Sequence, residues 1–484
     1  MKKFYAGLLS LLVMASFILA DCSASGQNAS QGSSASENSA QKSDAGHHVH
    51  KEHAKQNAHQ EKHSKDTGKA SSEQNGDAKI IIGSAHDSKK VKDKTKDESK
   101  TKNHDSMPPA TSGSDEQEKT NYDIGDMTLD EKIGQLVMVG INGTKANDQT
   151  RQLIQQYHVG GVILYGNNIQ TPSQSVKLIN QLKAINAKAE NPLPLFISVD
   201  QEGGRVERMP DEIVNLPSNE KIGNVNDPHF SYKVGQLIGQ ELQDFGFNMD
   251  FAPVLDIRSR SAKSVIGDRS FSSDKQVVSR LGVATMRGIQ SQNVVSVIKH
   301  FPGYGGATID AHTGLPKEKY GIDRLMKTEW YPYQKAIAAG ADTVMVTHIL
   351  LPQLDSHFPA SMSRSIITGM LRNKLGFDGV VITDDMTMGA IAKHYSIDQA
   401  AVQAVKAGAD IVLVSFHPDE QISVIKALKH AVQNGDISEE RINKSVERIL
   451  RLKQKYHLSN QPTGAVDVNG LNQKIHSVLH KPLS

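Results

Sequence analysis

A lysine and a histidine, Lys299 and His300, close the apolar run Val294-Val295-Ser296-Val297-Ile298. The chain then turns through Pro302, Gly303, Gly305 and Gly306 and reaches Asp310-Ala311-His312. An imidazole titrates near neutral pH and a carboxylate neighbour stabilises its charged form, so His312 with Asp310 suits acid–base work. A second apolar run, Val380-Val381-Ile382, ends in Thr383-Asp384-Asp385-Met386. A strand-end carboxylate together with a His–Asp pair is the minimum kit for a two-step displacement, with Asp384 as the candidate nucleophile. Side chains alternate along a strand, so only one of Asp384 and Asp385 should face a shared site. The other would cap the following helix or pair with an arginine.

Lys299 at a buried strand end needs a partner, because a buried ammonium is costly alone. Ligand oxygens or a nearby acid would satisfy it, and Asp256 is one candidate. The run Asp200-Gln201-Glu202-Gly203-Gly204-Arg205-Val206-Glu207-Arg208 follows Phe196-Ile197-Ser198-Val199. A carboxylate and two arginines on a glycine loop could grip sugar hydroxyls through paired hydrogen bonds, or could simply hold the loop by an internal ion pair. In Gly267-Asp268-Arg269-Ser270-Phe271, Arg269 could reach a ligand oxygen with Asp268 orienting it. A loop salt bridge would explain the same residues.

These groups need a scaffold that brings distant strand ends together. Eight short apolar runs, at 136–141, 161–165, 195–199, 247–255, 294–298, 343–347, 379–382 and 411–414, alternate with helical patterns such as 150–157, 173–187 and 398–407. Thr128 with Glu131 reads as a capping box that starts the first helix. Eight βα units predict a single (β/α)8 barrel over residues 122–456, with a doubly wound open sheet as the alternative. A barrel demands functional groups at the C-terminal ends of its strands. Asp200, Asp256, Lys299-His300, His348 and Asp384-Asp385 all follow apolar runs. After the expected helix Glu439–Lys455, residues 457–484 read as a short polar tail.

The chain has 484 residues and a net charge of +2, so no global field argues for nucleic acid. Between Ile18 and Asn121 there is no aromatic residue, and the first arginine is Arg151. Residues 22–121 are too polar to bury a core and are expected to be a disordered tether. Six histidines lie between His47 and His63, which reads as solvated spacer, with metal uptake as the alternative. Met1-Lys2-Lys3 and the apolar stretch to Ala20 resemble an export signal over residues 1–21. Cys22, the single cysteine, resembles a bacterial lipoprotein processing site, although Asp21 stands where Gly, Ala or Ser is usual. The expectation is an exported, membrane-anchored lipoprotein at the cell surface, or, alternatively, a secreted protein. One acyl chain holds a membrane only marginally, so stable anchoring needs a second.

The motifs Val199-Asp200-Gln201-Glu202-Gly203-Gly204-Arg205-Val206, Lys299-His300-Phe301-Pro302-Gly303, Asp310-x-His312 and Thr383-Asp384-Asp385-Met386 resemble glycoside hydrolase family 3 in order and spacing. Within it they are most similar to the β-N-acetylhexosaminidase branch called NagZ. The resemblance covers roughly residues 124–455. It implies a (β/α)8 barrel, Asp384 as nucleophile, and His312 as acid/base paired with Asp310. It also implies that Asp200, Arg208, Arg269, Lys299 and His300 bind a terminal N-acetylglucosamine. No cofactor is expected, and no metal, since the clustered His and Asp residues lack a compact ligand spacing. The implied partners are β-N-acetylglucosaminide glycans or cell-wall fragments, and the chain is read as a monomer. The alternatives are a β-glucosidase or other exo-glycosidase, transfer to phosphate in place of water, or a glycan-binding lipoprotein without catalysis. The chain departs from the family where the loop often reads Gly-His-Gly-Asp-Thr and here reads Gly303-Tyr304-Gly305-Gly306-Ala307. It departs again at Ala311, where Ser is frequent.

Overall fold

The computed structural model describes residues 124–260 and 264–480. The expected signal peptide, Cys22 and the histidine-rich tether lie outside the described residues. Eight parallel strands form one sheet: β1 Val137–Gly140, β2 Gly161–Ile163, β3 Phe196–Val199, β4 Met249–Asp250, β5 Val295–Phe301, β6 Thr343–Val346, β7 Val380–Thr383 and β8 Val412–Val414. Each strand pairs with the next in sequence, and β1 also pairs with β8. A parallel bridge from Ile382 to Ile411 joins β7 to β8 and closes the ring. The (β/α)8 barrel is therefore the architecture, and the open doubly wound sheet is not.

Every residue of the eight strands is buried, and most are β-branched or otherwise apolar, as strands covered on both faces require. The run at 247–255, expected as one long strand, holds its regular pairing for only two residues. Pro253 has no amide hydrogen to donate, so the ladder breaks there and resumes as an isolated bridge from Val254 to Lys299. The break frees the chain beyond it to place Asp256 under the site. Thr128 caps the first helix as expected: Glu131 donates its amide to Thr128 Oγ1 at 3.3 Å and returns Oε2 to the Thr128 amide at 2.7 Å.

The C-terminal reading needs correction. Residues Val468–Leu479 form a helix that buries Leu471 and Ile475, one turn apart, against the barrel wall. Asn472 locks it by accepting from the Val214 amide at 2.9 Å and donating to the Glu212 carbonyl at 2.8 Å. The segment looked like a tail because two apolar residues among polar ones give a weak helical signal.

At the opposite face from the strand C-termini, helix Glu439–Lys455 inserts Lys453 into the barrel wall, 2% exposed. Its ammonium donates to Gln135 Oε1 at 2.7 Å and the Gly160 carbonyl at 3.0 Å, and no carboxylate pairs with it among the described residues. Burial holds its pKa down to about 7. Between that value and the ordinary lysine value the unfolded chain binds the extra proton, so this group makes stability rise with pH from about 7 to about 10.5. Lys453→Met is expected to remove that slope. Urea midpoints of variant and wild type should converge or cross as pH rises through this window; parallel curves would refute the assignment.

Candidate active site

The C-terminal ends of the strands surround a cavity of about 530 Å³. This lies within the ~300–1,000 Å³ of ordinary small-molecule sites. Asp200, Arg208, Arg269, Lys299, His300, Asp310, His312 and Asp384 all line it. These eight residues are thus brought to one place, from segments up to 184 positions apart, whereas Asp256 and His348, also expected at the strand ends, do not line the cavity.

Lys299 stands at the centre of the charged wall. Its ammonium, 1% exposed, lies 2.5 Å from Asp200 Oδ1 and 2.7 Å from Glu202 Oε1. Arg269 donates to the same Glu202 through Nε at 2.9 Å and Nη2 at 2.7 Å, a two-pronged pairing. Two cations and two carboxylates therefore balance. Burial alone would raise the Glu202 pKa, but Arg269 and Lys299 hold it well below the usual carboxylate range. Burial opposes the charge on Lys299 too, yet Asp200 and Glu202 raise its pKa. The expected partners change accordingly. Asp256 does not pair with Lys299; it receives His300 Nδ1 at 2.7 Å. Asp268 does not orient Arg269; it pairs with Arg205 at 3.0 Å. Arg205 and Arg208 both line the cavity, but Arg205 is tied across to Asp268, whereas no carboxylate pairs Arg208 among the described residues.

The Asp200 loop is held from behind. Gly203 and Gly204 adopt φ of +79° and +61°, which a side chain would strain, and a Cβ on either would press on residues 216–218. Gln201 donates its amide to Glu207 Oε1 at 2.7 Å and Glu241 Oε1 at 2.9 Å, and its backbone amide to Asp250 Oδ1 at 3.0 Å. Burial pushes the pKa of Glu207, Glu241 and Asp250 upward.

Across the cavity, Asp384 and Asp385 both lie beyond the end of β7 and both line the cavity, so the alternation expected of them does not hold, but their oxygens have different partners. Asp384 lines the cavity, with Oδ2 accepting from Thr347 Oγ1 at 3.1 Å and Oδ1 from the Asp385 amide at 3.0 Å. Burial would raise its pKa, but nearby His348 and His300 and the Asp385 amide hold it below the usual value. Asp385 instead closes the turn, accepting from the Thr387 amide at 3.0 Å, Thr387 Oγ1 at 2.8 Å and the Ser415 amide at 3.1 Å. His348, fully buried, lies with Nε2 2.9 Å from the Asp385 carbonyl and Nδ1 2.7 Å from Ser361 Oγ. Burial lowers its pKa, and its place is under the turn.

His312 and Asp310 are the exposed members, with side chains 73% and 52% accessible. His312 Nδ1 lies 2.7 Å from Asp310 Oδ1, which leaves Nε2 for the cavity. Burial would raise the Asp310 pKa, but the His312 amide and imidazole lower it. Tyr165, stacked on Phe416 with ring centroids 5.3 Å apart, forms a further wall. Sequence reasoning did not find Glu202, Thr347, Tyr165 or Phe416 as site residues. Glu202 stood inside a motif already singled out, but its partners are 67 and 97 positions away.

A closed barrel with a strand-end carboxylate, a His–Asp pair and a charged grip around one cavity defines a (β/α)8-barrel enzyme. Residues 128–452 match the glycosyl hydrolase family 3 N-terminal domain, and the chain belongs to that family. Beta-hexosaminidase A of Pseudoalteromonas piscicida is 33% identical over 326 residues, 63% of this chain and 54% of that protein. The chain thus spans about half the length of that relative. The beta-hexosaminidase of Nitrosomonas eutropha is 33% identical over 327 residues, covering 66% of this chain and 92% of that one. Among solved structures, the glycoside hydrolase family 3 β-N-acetylglucosaminidase of Paenibacillus sp. str. FPU-7 is 41% identical with a TM-score of 0.69, covering 73% of this chain and 68% of that chain.

Proposed function

We propose that this chain is a retaining β-N-acetylhexosaminidase that removes terminal β-linked N-acetylglucosamine from glycans. The observation that carries this reading is that Asp384 and the His312–Asp310 pair line the same cavity as the Asp200–Lys299–Glu202–Arg269 wall. Charged, hydrogen-bonding groups suit the hydroxyls of one sugar. In the first step an Asp384 oxygen bonds to the anomeric carbon while the glycosidic C–O bond breaks. The proton on His312 Nε2 passes to the departing oxygen, and Asp310 stabilises the imidazolium before it is spent. In the second step neutral His312 takes a proton from water, whose oxygen bonds to the anomeric carbon as the ester to Asp384 breaks. Two displacements leave the product with its original β configuration.

The names of the relatives favour N-acetylglucosamine over glucose. The test is nitrophenol release by the full chain from the β-N-acetylglucosaminide and the β-glucoside. A specificity ratio above about a hundredfold for the acetamido sugar is expected, since a site built to hydrogen-bond a polar group rejects its absence by up to about 10⁴–10⁵-fold. Equal rates would move the reading to a broader exo-glycosidase.

The substrate in the cell is proposed to be cell-wall glycan fragments, reached by an exported chain lipidated at Cys22. This rests on the signal-like N-terminus and the long polar segment after it. Expressed with radiolabelled palmitate, the chain should take label that Cys22→Ser abolishes; an unlabelled wild type would remove the anchor from the proposal.

A further inference from the structure

The acid/base candidates sit on a loop with little strand support, yet one buried side chain grips that loop from beneath. Tyr304 is 7% exposed. Its phenol donates to the Ile309 carbonyl at 2.9 Å and accepts from the Ala311 amide at 2.7 Å. These two bonds fall on either side of Asp310. Ala311 is held from its other face too, where its carbonyl accepts from the Ala390 amide at 2.8 Å, beyond the end of β7. The residue between Asp310 and His312 is therefore clamped between the phenol and the segment that follows Asp384.

Tyr304 also reaches the opposite side of the site. Its backbone amide donates to Asp256 Oδ1 at 2.6 Å, while Asp256 Oδ2 receives His300 Nδ1 at 2.7 Å. The His300 and Tyr304 rings lie 5.9 Å apart. One carboxylate, fully buried, thus fixes both a sugar-side imidazole and the base of the loop. Tyr304 stands at the first of the loop positions where this chain departs from the common Gly-His-Gly-Asp-Thr pattern.

We propose that Tyr304 is a positioning residue for proton transfer: its phenol holds the Asp310–His312 pair in register with Asp384, and Asp256 ties that placement to His300. The inference rests on the hexosaminidase reading above. A proton donor displaced by even an ångström loses much of its effect, and the loss shows only where the departing oxygen needs a proton.

Tyr304→Phe removes one oxygen and keeps the ring. For the β-1,4-linked N-acetylglucosamine disaccharide, whose leaving group is a poor one, kcat/KM should fall on the order of 10- to 100-fold. For the 2,4-dinitrophenyl glycoside, which departs without a proton, it should change by less than about threefold, and inhibition by free N-acetylglucosamine should not change. In a His312→Ala background the added Tyr304→Phe should cost nothing further on the disaccharide, because residues acting through one step are not additive. Equal losses on both substrates, or independent losses in the double variant, would overturn the proposal. Amide exchange supplies a readout that needs no turnover: the Ala311 amide should exchange on the order of tenfold faster in Tyr304→Phe. Unchanged exchange would also overturn it. A wild type that hydrolyses neither hexosaminide would count against the functional reading itself, and the exchange result would still decide whether the clamp exists.

Discussion

Asp384→Asn should lower hydrolysis of a β-N-acetylglucosaminide on the order of 10⁴-fold or more, with folding and inhibition by free N-acetylglucosamine preserved. The expectation rests on what the carboxylate is and on what surrounds it. Asparagine has nearly the same volume and can accept from the Asp385 amide as Asp384 Oδ1 does now at 3.0 Å. Its amide nitrogen can donate to Thr347 Oγ1, which now donates to the carboxylate at 3.1 Å. The local network therefore survives while the nucleophile is lost. The protein keeps Asp384 ionised against its burial, through His348, His300 and the Asp385 amide. Its charge should accordingly persist below the usual carboxylate range, and it should not set the acidic limb of a pH–rate profile at ordinary carboxyl values. Retention of more than about a hundredth of wild-type activity would place the nucleophile elsewhere. Asp385 is a poor substitute, since its oxygens serve Thr387 and Ser415 and burial pushes its pKa up.

The division between Asp384 and Asp385 shows how far local pattern reaches. Strand alternation says that one faces inward, yet both line the cavity, and only their hydrogen bonds show that Asp385 is committed to Thr387 and Ser415. The barrel itself was legible because eight apolar runs of strand length recur between helical patterns, and because polar residues fall where those runs end. What was illegible was pairing across the ring. Asp268 adjoins Arg269 in sequence, yet Arg269 turns to Glu202, 67 positions earlier. Asp256 follows β4 and Lys299 lies in the neighbouring β5, yet the acid takes His300 and leaves the lysine to Asp200 and Glu202. Strand-end position assigns a residue to the mouth of the barrel. It does not say whether the side chain enters the cavity, as His300 does, or props the wall from behind, as Asp256 and His348 do.

Lys299→Met is the substitution expected to damage fold and function together. Methionine matches the length of the lysine stem, so the change isolates the charge from the packing. Lys299 is 1% exposed and Glu202 2%, and Lys299 is the one cation pairing Asp200 among the described residues. Removing one member of such a buried set leaves uncompensated charge and costs about 3–5 kcal/mol of stability. Glu202 keeps both bonds from Arg269, so Asp200 is the group left unpaired. Without that partner it would draw water into the grip, which weakens sugar binding. Catalytic efficiency should fall on the order of 10³-fold, with KM carrying a large share, in contrast to the Asp384 variant. The pH dependence provides the sign. Glu202 has a depressed pKa in the folded chain, so its contribution to stability is present above ordinary carboxyl values and fades as pH falls through the depressed value. Without Lys299 part of that depression goes, and the stability difference between variant and wild type should narrow as the solution is acidified. Urea unfolding at neutral and acidic pH measures both quantities. A Met variant within about 1 kcal/mol of wild type at pH 7 would mean that Arg269 and solvent neutralise the wall without the lysine, and Lys299 would then be a sugar ligand with no part in holding the barrel mouth together.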